Sequence, residues 1–330
     1  MNADLIDRRR FTQALLAAGL MTPFALHAQV RPDILRVLCG YPAGGALDIV
    51  GRKLAEKLTG RSASIAVVEN KPGAAGRLVV DELRKSAADG SVVLVAPASV
   101  MTLYPHVYRQ LSYDVFADVV PVCSVAATAF ALAVGPKVPM SVTSAEAFLQ
   151  WCKAEHVAAR CGNAGAGSLP HFMGMLLARE ARFELAHIPY RGGSAAMQAA
   201  AAGEVECAIA TEGSARALSQ AGKLRVLATS GTERSAFFSQ ASTFKQVGWP
   251  ALTQREWFGV FMPARVPQAT ALAAADAWRA ASQDADVKET WDRLGLSVEA
   301  TTPTQLQASL RSEHDFWAPI VKASGFTPET

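Results

Sequence analysis

Ile34-Leu35-Arg36-Val37-Leu38-Cys39-Gly40-Tyr41-Pro42-Ala43-Gly44-Gly45-Ala46-Leu47-Asp48-Ile49-Val50 decides the fold. Ile34 to Leu38 is a short apolar run of strand type. A turn rich in glycine and proline follows, and Leu47, Val50, Leu54 and Leu58 then recur at helical spacing on one face. Strand, glycine turn and helix in that order are the opening of a parallel α/β unit.

The pattern continues outward. Ile65 to Val68 is a second strand, closed by the turn 69–76. Leu78 to Ser86 is helical, and Asp89-Gly90 turns into the strand Val92 to Val95. The second half repeats the theme. A turn over Gly162 to Ser168 precedes a helix carrying Phe172, Met175, Leu176 and Arg179. Phe183 to Ile188 is a strand, and Ser194 is the expected cap of an alanine-rich helix ended by Gly203. Val205 to Ala210 and Leu224 to Ala228 are further strands. Two such blocks predict two lobes of α/β layers with mainly parallel sheets, a ligand lying where strand ends face each other. No exact repeat and no low-complexity linker appears, so the lobes are expected to be joined by chain crossovers.

Composition sets the class. In 330 residues, half are hydrophobic and 18% charged, which fits a globular chain with sizeable cores. The formal charge of +3 includes Arg8, Arg9 and Arg10, and no basic run for neutralising phosphates follows, so nucleic acid is not an expected partner. Those arginines, with Phe11 and the apolar stretch Ala14 to Leu26, read as an export signal over residues 1–28. It is too short for a comfortable span of ~20 apolar residues. Arg-Arg-x-Phe fits the twin-arginine route, with Asp7 where Ser or Thr is usual. The mature protein is expected to be periplasmic. The cysteines at 39, 123, 152, 161 and 207 contain no CxxC, which argues against zinc and thioredoxin-like chemistry. Cys152 and Cys161 are left as either a small disulfide or buried thiols.

The two glycine turns are the expected functional loops as a pair, although by composition a simple tight turn is the favoured reading of either one alone. Glycine lets backbone approach a ligand closely, and the free N–H groups of a first helical turn favour an anion. The loop 41–48 and the loop 163–168 supply this device once per half, suggesting a clamp with two sides. Hydrogen bonds to a charged group contribute ~1.5–3 kcal/mol each, whereas micromolar binding needs about 8 kcal/mol, so several amide contacts suffice. Asp48 either caps its helix or accepts from a ligand ammonium or water. His171 is read equally as a packing or capping residue and as a ligand contact. Ser99 and Thr102 either face the cleft or start a helix. Tyr190 is placed toward the cleft, Arg191 on the surface, and Trp151, Trp278, Trp291 and Trp317 in packing roles. Trp257 is placed at a hinge.

At these loops the chain resembles the Bug-type, or TctC-like, receptors of tripartite tricarboxylate transporters. The likeness rests on Gly40-Tyr41-Pro42-Ala43-Gly44-Gly45-Ala46-Leu47-Asp48 with Gly51-Arg52 following, and on Val68 to Gly76, Asp89-Gly90 and Leu111 to Asp114. Gly162 to His171, His187 to Gly193, Ala221 to Arg225 and Trp257 to Ala264 extend it. The resemblance implies a type II periplasmic-binding-protein fold with two crossover strands: lobe one from 30–125 plus 257–330, lobe two from 126–256. It also implies capture of a carboxylate by backbone amides, with Tyr41, Ala43, Gly45 and Asp48 in the first loop. In the second half it points to Ala166, Gly167, Ser168 and His171. Ala46 replaces a frequent hydroxyl, and Ile209-Ala210-Thr211 with Glu212 stand where relatives carry Phe-Asp-Asn. Thr211 and Glu212 are therefore added to the expected site, Glu212 as partner for a cationic ligand group.

The implied partners are a small carboxylated or amide ligand and membrane transporter subunits, or alternatively a sensor kinase, with the receptor itself monomeric. No cofactor and no metal are expected. Ser168 and Cys161 lie in no G-x-S-x-G elbow and no Walker-type loop is present, so an enzyme is not expected.

Overall fold

The computed structural model describes residues 32–155 and 158–327; the expected export signal lies outside the described residues. The first half is built from strand β1 (Ile34–Cys39), helix α1 (Ala46–Leu58), strand β2 (Ile65–Asn70), helix α2 (Leu78–Lys85) and strand β3 (Val92–Pro97). Two short helices, α3 (Ala98–Thr102) and α4 (Tyr104–Val107), lead to the long strand β4 (Val119–Val134). The second half comprises α5 (Ala145–Ala154), β5 (Ala159–Asn163), α6 (Leu169–Ala181), β6 (Leu185–Pro189), α7 (Gly193–Ala202) and β7 (Cys207–Thr211). Helix α8 (Glu212–Gln220) and strands β8 (Arg225–Thr229) and β9 (Ser242–Thr243) complete it. The chain returns through β10 (Arg255–Pro263) and ends in α9 (Gln268–Ser282), α10 (Ala285–Leu294), β11 (Ser297–Val298) and α11 (Pro303–Ser324).

The two halves share one topology. In the first, the strands lie in the order β2-β1-β3-β10-β4, with β1 parallel to β2 and β3, and with β10 antiparallel to β3 and β4. In the second, β6-β5-β7-β4-β8 repeats the arrangement, with β4 as the antiparallel member. Each half thus borrows one strand from the crossover, giving the type II periplasmic-binding-protein arrangement. Strand β4 serves both: Ala129 still pairs with Arg255 of β10, and Phe130 already pairs with Thr211 of β7.

Local chemistry explains most of the elements. Leu47, Val50, Leu54 and Leu58 are buried on one face of α1, against β1 and the indoles of Trp278 and Trp291. Strand β3 is buried along its whole length, as a parallel strand covered on both faces should be. Gly203, in the left-handed region, ends α7 as expected, but the helix starts one turn-position earlier than Ser194: Gly192 is the N-cap and Ser194 lies inside the first turn. A flexible glycine at that cap replaces the side-chain acceptor that the serine was expected to supply.

Trp278, Trp291 and Trp317 are each about 1% exposed, so they pack as expected; Trp151 is half-buried. One apolar cluster runs through both halves, carrying Leu94 and Tyr104 from the first and Phe148 and Phe172 from the second, with Trp317 of α11 between them. The rings of Phe172 and Trp317 lie 6.2 Å apart. All five cysteines are buried free thiols, and Cys161 lies directly across from Cys207 on the neighbouring strand. No helix among the described residues is long and apolar enough to cross a membrane.

Candidate functional site

Each half ends its first strand in a glycine turn, and the two turns use the same stereochemistry. Gly44 and Gly167 each precede an N-cap, Gly45 and Ser168, and each has a positive φ, +83° and +76°. Each donates its N–H to a side chain four residues on: Gly44 to the Asp48 carboxylate at 2.8 Å, Gly167 to His171 Nδ1 at 2.9 Å. The acceptor occupies the third helical position in both cases. It pins the turn from behind, and the first-turn amides have no acceptor within the helix. Ala43, Gly45 and Ala46 are exposed in the first turn, and Ala166 is exposed in the second. Backbone N–H groups at Ala46, Leu47 and Ala166 have no protein acceptor among the described residues.

Asp48 is therefore an internal brace. Besides Gly44 it accepts from Arg52 at 3.0 Å and from Asn70 Nδ2 at 2.7 Å, and Asn70 also donates to the Tyr41 carbonyl. Burial raises a carboxyl's pKa, but the hydrogen bonds from Arg52, Gly44 and Asn70 outweigh it and hold Asp48 below the usual carboxylate range. His171 has a comparable duty. Its Nδ1 is occupied as an acceptor, its ring lies against His187 and Phe326 with centroids 4.6 and 5.2 Å away, and burial lowers its pKa. Ser168 Oγ donates to the Gly165 carbonyl at 2.6 Å, closing the second turn on itself.

Helix α4 lies between the two turns. Tyr41, whose hydroxyl donates to Ala75 O at 3.2 Å, stands beside Tyr104; Val107, one turn later, meets Gly167. A Cβ at Gly167 would lie 3.1 Å from Phe326 and 3.4 Å from Val107, so only glycine lets the C-terminal segment approach this closely.

Other expected positions fall elsewhere around these strand ends. The Ser99 amide donates to the Glu256 carboxylate at 2.9 Å, and Thr102 Oγ1 turns back to the Ala98 carbonyl. The Tyr190 ring leans back over Gly162, its hydroxyl 3.4 Å from Glu204 and so toward the α7 side. Thr211 Oγ1 pairs with Ser214 Oγ at 2.9 Å. Glu212 is buried: one carboxylate oxygen accepts from Ser235 at 2.8 Å, the other has no partner among the described residues, and burial raises its pKa.

Sequence reasoning passed over Glu256, Tyr104, Glu313 and Phe326. Glu256 lies in β10 beside Tyr41 and Tyr104; burial pushes its pKa up to about 7. A charged residue directly before the apolar run Trp257 to Met262 was the available signal. Trp257, placed at a hinge from sequence, is buried in β10 and donates its indole N–H to Glu313 at 2.7 Å. Among the described residues, no His, Cys, Asp and Glu cluster fit for a metal is present.

Comparison with known proteins places the chain in a family. The family model described as "Tripartite tricarboxylate transporter family receptor" matches residues 50–326. The chain is 27% identical to protein BugT of Bordetella pertussis over 317 residues, 94% of this chain and 95% of that protein. It is 31% identical over 263 residues to a protein encoded in the gbd 5′ region of Cupriavidus necator, covering 78% of each. Among solved structures, one described as a periplasmic transporter superposes with a TM-score of 0.78 at 28% identity, over 89% of this chain and 98% of that one. Rpa4515 of R. palustris, solved with adipate, gives 0.78 at 23% identity, over 90% and 99% of the chains. MatC of Rhodopseudomonas palustris, solved with malate, gives 0.74 at 22%, over 87% and 98%. The chain belongs to the tripartite tricarboxylate transporter receptor family, whose members are solute-binding receptors and not enzymes.

Proposed function

We propose that this receptor captures a small carboxylated metabolite in the periplasm and hands it to the membrane subunits of a tripartite tricarboxylate-type transporter. One observation carries the reading: two glycine turns of the same stereochemistry stand at equivalent strand ends of the two halves, with an exposed residue whose amide has no acceptor among the described residues in each, Ala46 and Ala166. A carboxylate held between them meets donors aligned with two helix N-termini, the arrangement that suits an anion without a buried arginine. Ala43, Gly45, Ala46 and Ala166 present the backbone, Tyr41 walls the cleft, and Asp48 and His171 act from behind. The adipate and malate of two structural neighbours support a carboxylate as the cargo class. The basic and apolar start of the chain supports export, with the halves described above closing as two lobes around the ligand.

A thermal-shift screen against mono- and dicarboxylic acids tests this. Ligand at a hundred times Kd adds about 2.7 kcal/mol, which for a domain of this size raises Tm by about 4 °C. Absence of any shift across the panel at millimolar concentration rejects carboxylate capture.

A further inference from the structure

Two thiols in the second half are brought together by the strand ladder itself. β5 and β7 are neighbouring parallel strands, and their register sets Cys161 directly opposite Cys207, with Gly162 opposite Ala208 next along. Residues opposed in such a ladder share a face of the sheet. Both cysteines are fully buried in the apolar cluster that also holds Phe172, Met173 and Leu176 of α6. Neighbouring strands lie about 4.8 Å apart, within the span of about 4.4–6.8 Å between Cα atoms that a disulfide bridges. The Cys207 sulfur leans toward β5: it lies 3.8 Å from the Arg160 carbonyl and hydrogen-bonds to the Cys161 thiol. The other three cysteines are placed differently. Cys39 is in β1 and Cys123 in β4, with β3 and β10 between them. Cys152 belongs to α5 and reaches the same cluster from a helix, so no strand register sets it against a second cysteine.

We propose that Cys161 and Cys207 are a modification site: a disulfide closes between them when the chain folds in an oxidising compartment, and it staples β5 to β7. Cys161 lies two residues before Asn163, whose side chain accepts from the Gly165 amide at 3.1 Å, and Cys207 lies four residues before Thr211 at the end of β7. The bond therefore ties together the strands whose ends carry the second glycine turn and α8. The co-reactant is an external disulfide, such as a protein thiol oxidase or oxidised glutathione carries. One cysteine, as its thiolate, attacks that disulfide and releases one external thiolate; the other cysteine then displaces the second from the mixed disulfide. One S–S bond forms in the protein as one breaks outside. The two cysteine protons pass to the released thiolates, and the two electrons reduce the external disulfide. In the folded chain the hydrogen bond to Cys161 and burial raise the Cys207 pKa well above the ordinary thiol value, which disfavours exchange there. The bond closes before α6 covers this face.

The mature protein, unfolded in guanidinium and refolded either in a mixture of oxidised and reduced glutathione or in dithiothreitol, provides the test. Once native circular dichroism has returned, free thiols are alkylated in denaturant and the digest is read by mass spectrometry. After oxidative refolding we expect a peptide pair joining Cys161 to Cys207, with Cys39, Cys123 and Cys152 alkylated. A closed loop of roughly 45 residues in a chain of about 300 ordered ones should raise Tm by about 5 °C over the protein refolded in dithiothreitol. Cys152→Ser should keep both the bridge and the Tm difference, and Cys207→Ser should abolish both. If the Cys207 variant does not fold, the wild-type protein under the two redox conditions still decides. Alkylation of both Cys161 and Cys207 after oxidative refolding, a bridge through Cys152, or a Tm indifferent to reductant overturns the proposal.

Discussion

Replacing Asp48 separates a brace from a ligand contact. Its carboxylate accepts from the Gly44 amide, Arg52 and Asn70, and is 2% exposed. Hydrogen bonds to a charged group contribute about 1.5–3 kcal/mol each, but Arg52 is half-exposed and the Gly44 amide is near water, so both recover solvation when the acceptor is lost. Asp48→Ala should therefore cost about 3 kcal/mol in total, near the contribution of one to two such bonds. For some 300 ordered residues with an unfolding entropy of about 2.1 cal/mol/K each, the fall in Tm is about 5 °C. Asp48→Asn keeps one acceptor and should lose about half as much. Because Asp48 titrates below its ordinary range, its contribution is fully present above the unfolded carboxylate pKa of 3.8 and is lost as pH falls through the folded value. The wild-type advantage over Asp48→Ala should thus disappear in strong acid. Differential scanning calorimetry between pH 7 and pH 2.5, with ligand affinity measured in parallel, checks it. An unchanged Tm together with abolished binding would refute the brace and make Asp48 a direct ligand contact.

Two further outcomes follow from the same geometry. Acid should destabilise the fold in two waves: His187, held neutral by burial and by His171 to about 4, gives stability that is present above 6.5 and lost as pH falls toward 4. Glu206 is held at about 2: burial alone would raise it, but Arg160 and Lys137 outweigh that, so its contribution fades between 4.5 and 2. His187→Leu should flatten the first wave and Glu206→Gln, at a cost of about 1–2 kcal/mol at pH 7, the second, both seen in Tm against pH; unaltered profiles would rule out these groups. Gly167→Ala should lose about 1–2 kcal/mol from the positive φ, plus the push against Phe326. Adding Phe326→Ala should recover only the steric part, and full recovery in chemical denaturation would show that the backbone conformation is not limiting.

How far the sequence shows this molecule depends on the range of the interaction concerned. Strands β1, β2, β3 and helices α1, α2 and α6 follow from apolar spacing and flanking glycines, since the period that makes them is written within each segment. The turns were legible as turns from their glycine clusters, though each cluster alone reads as a plain tight turn and only their occurrence once per half pointed to a shared duty. Strand β4 was not: its alternation of Ala, Val and Thr over sixteen residues carries no mark of where one sheet hands over to the other, because the partner strands Arg255–Pro263 and Cys207–Thr211 come from far along the chain. Glu256 was missed for the same reason, its meaning residing in Ser99 and the tyrosines that the crossover brings to it. Asp48 and His171 were placed in the correct turns with their duty left open, since an i−4 hydrogen bond to a glycine amide depends on a φ that sequence does not print.

The difference between those two residues follows from their surroundings. Both hold a glycine amide from the third helical position, yet one is a carboxylate and the other an imidazole. Behind the first turn Arg52 and Asn70 stand ready to pair a negative charge. Behind the second lie Phe172, Phe326 and His187, with no lysine or arginine ion-paired there among the described residues. A carboxylate there would be an unpaired buried charge, costly in itself, and it would also oppose the anion the turn receives. Neutral histidine supplies the acceptor without the charge. The two turns are thereby equal in shape and unequal in electrostatics, since the negative brace of the first is already neutralised by Arg52 and the second has a neutral brace.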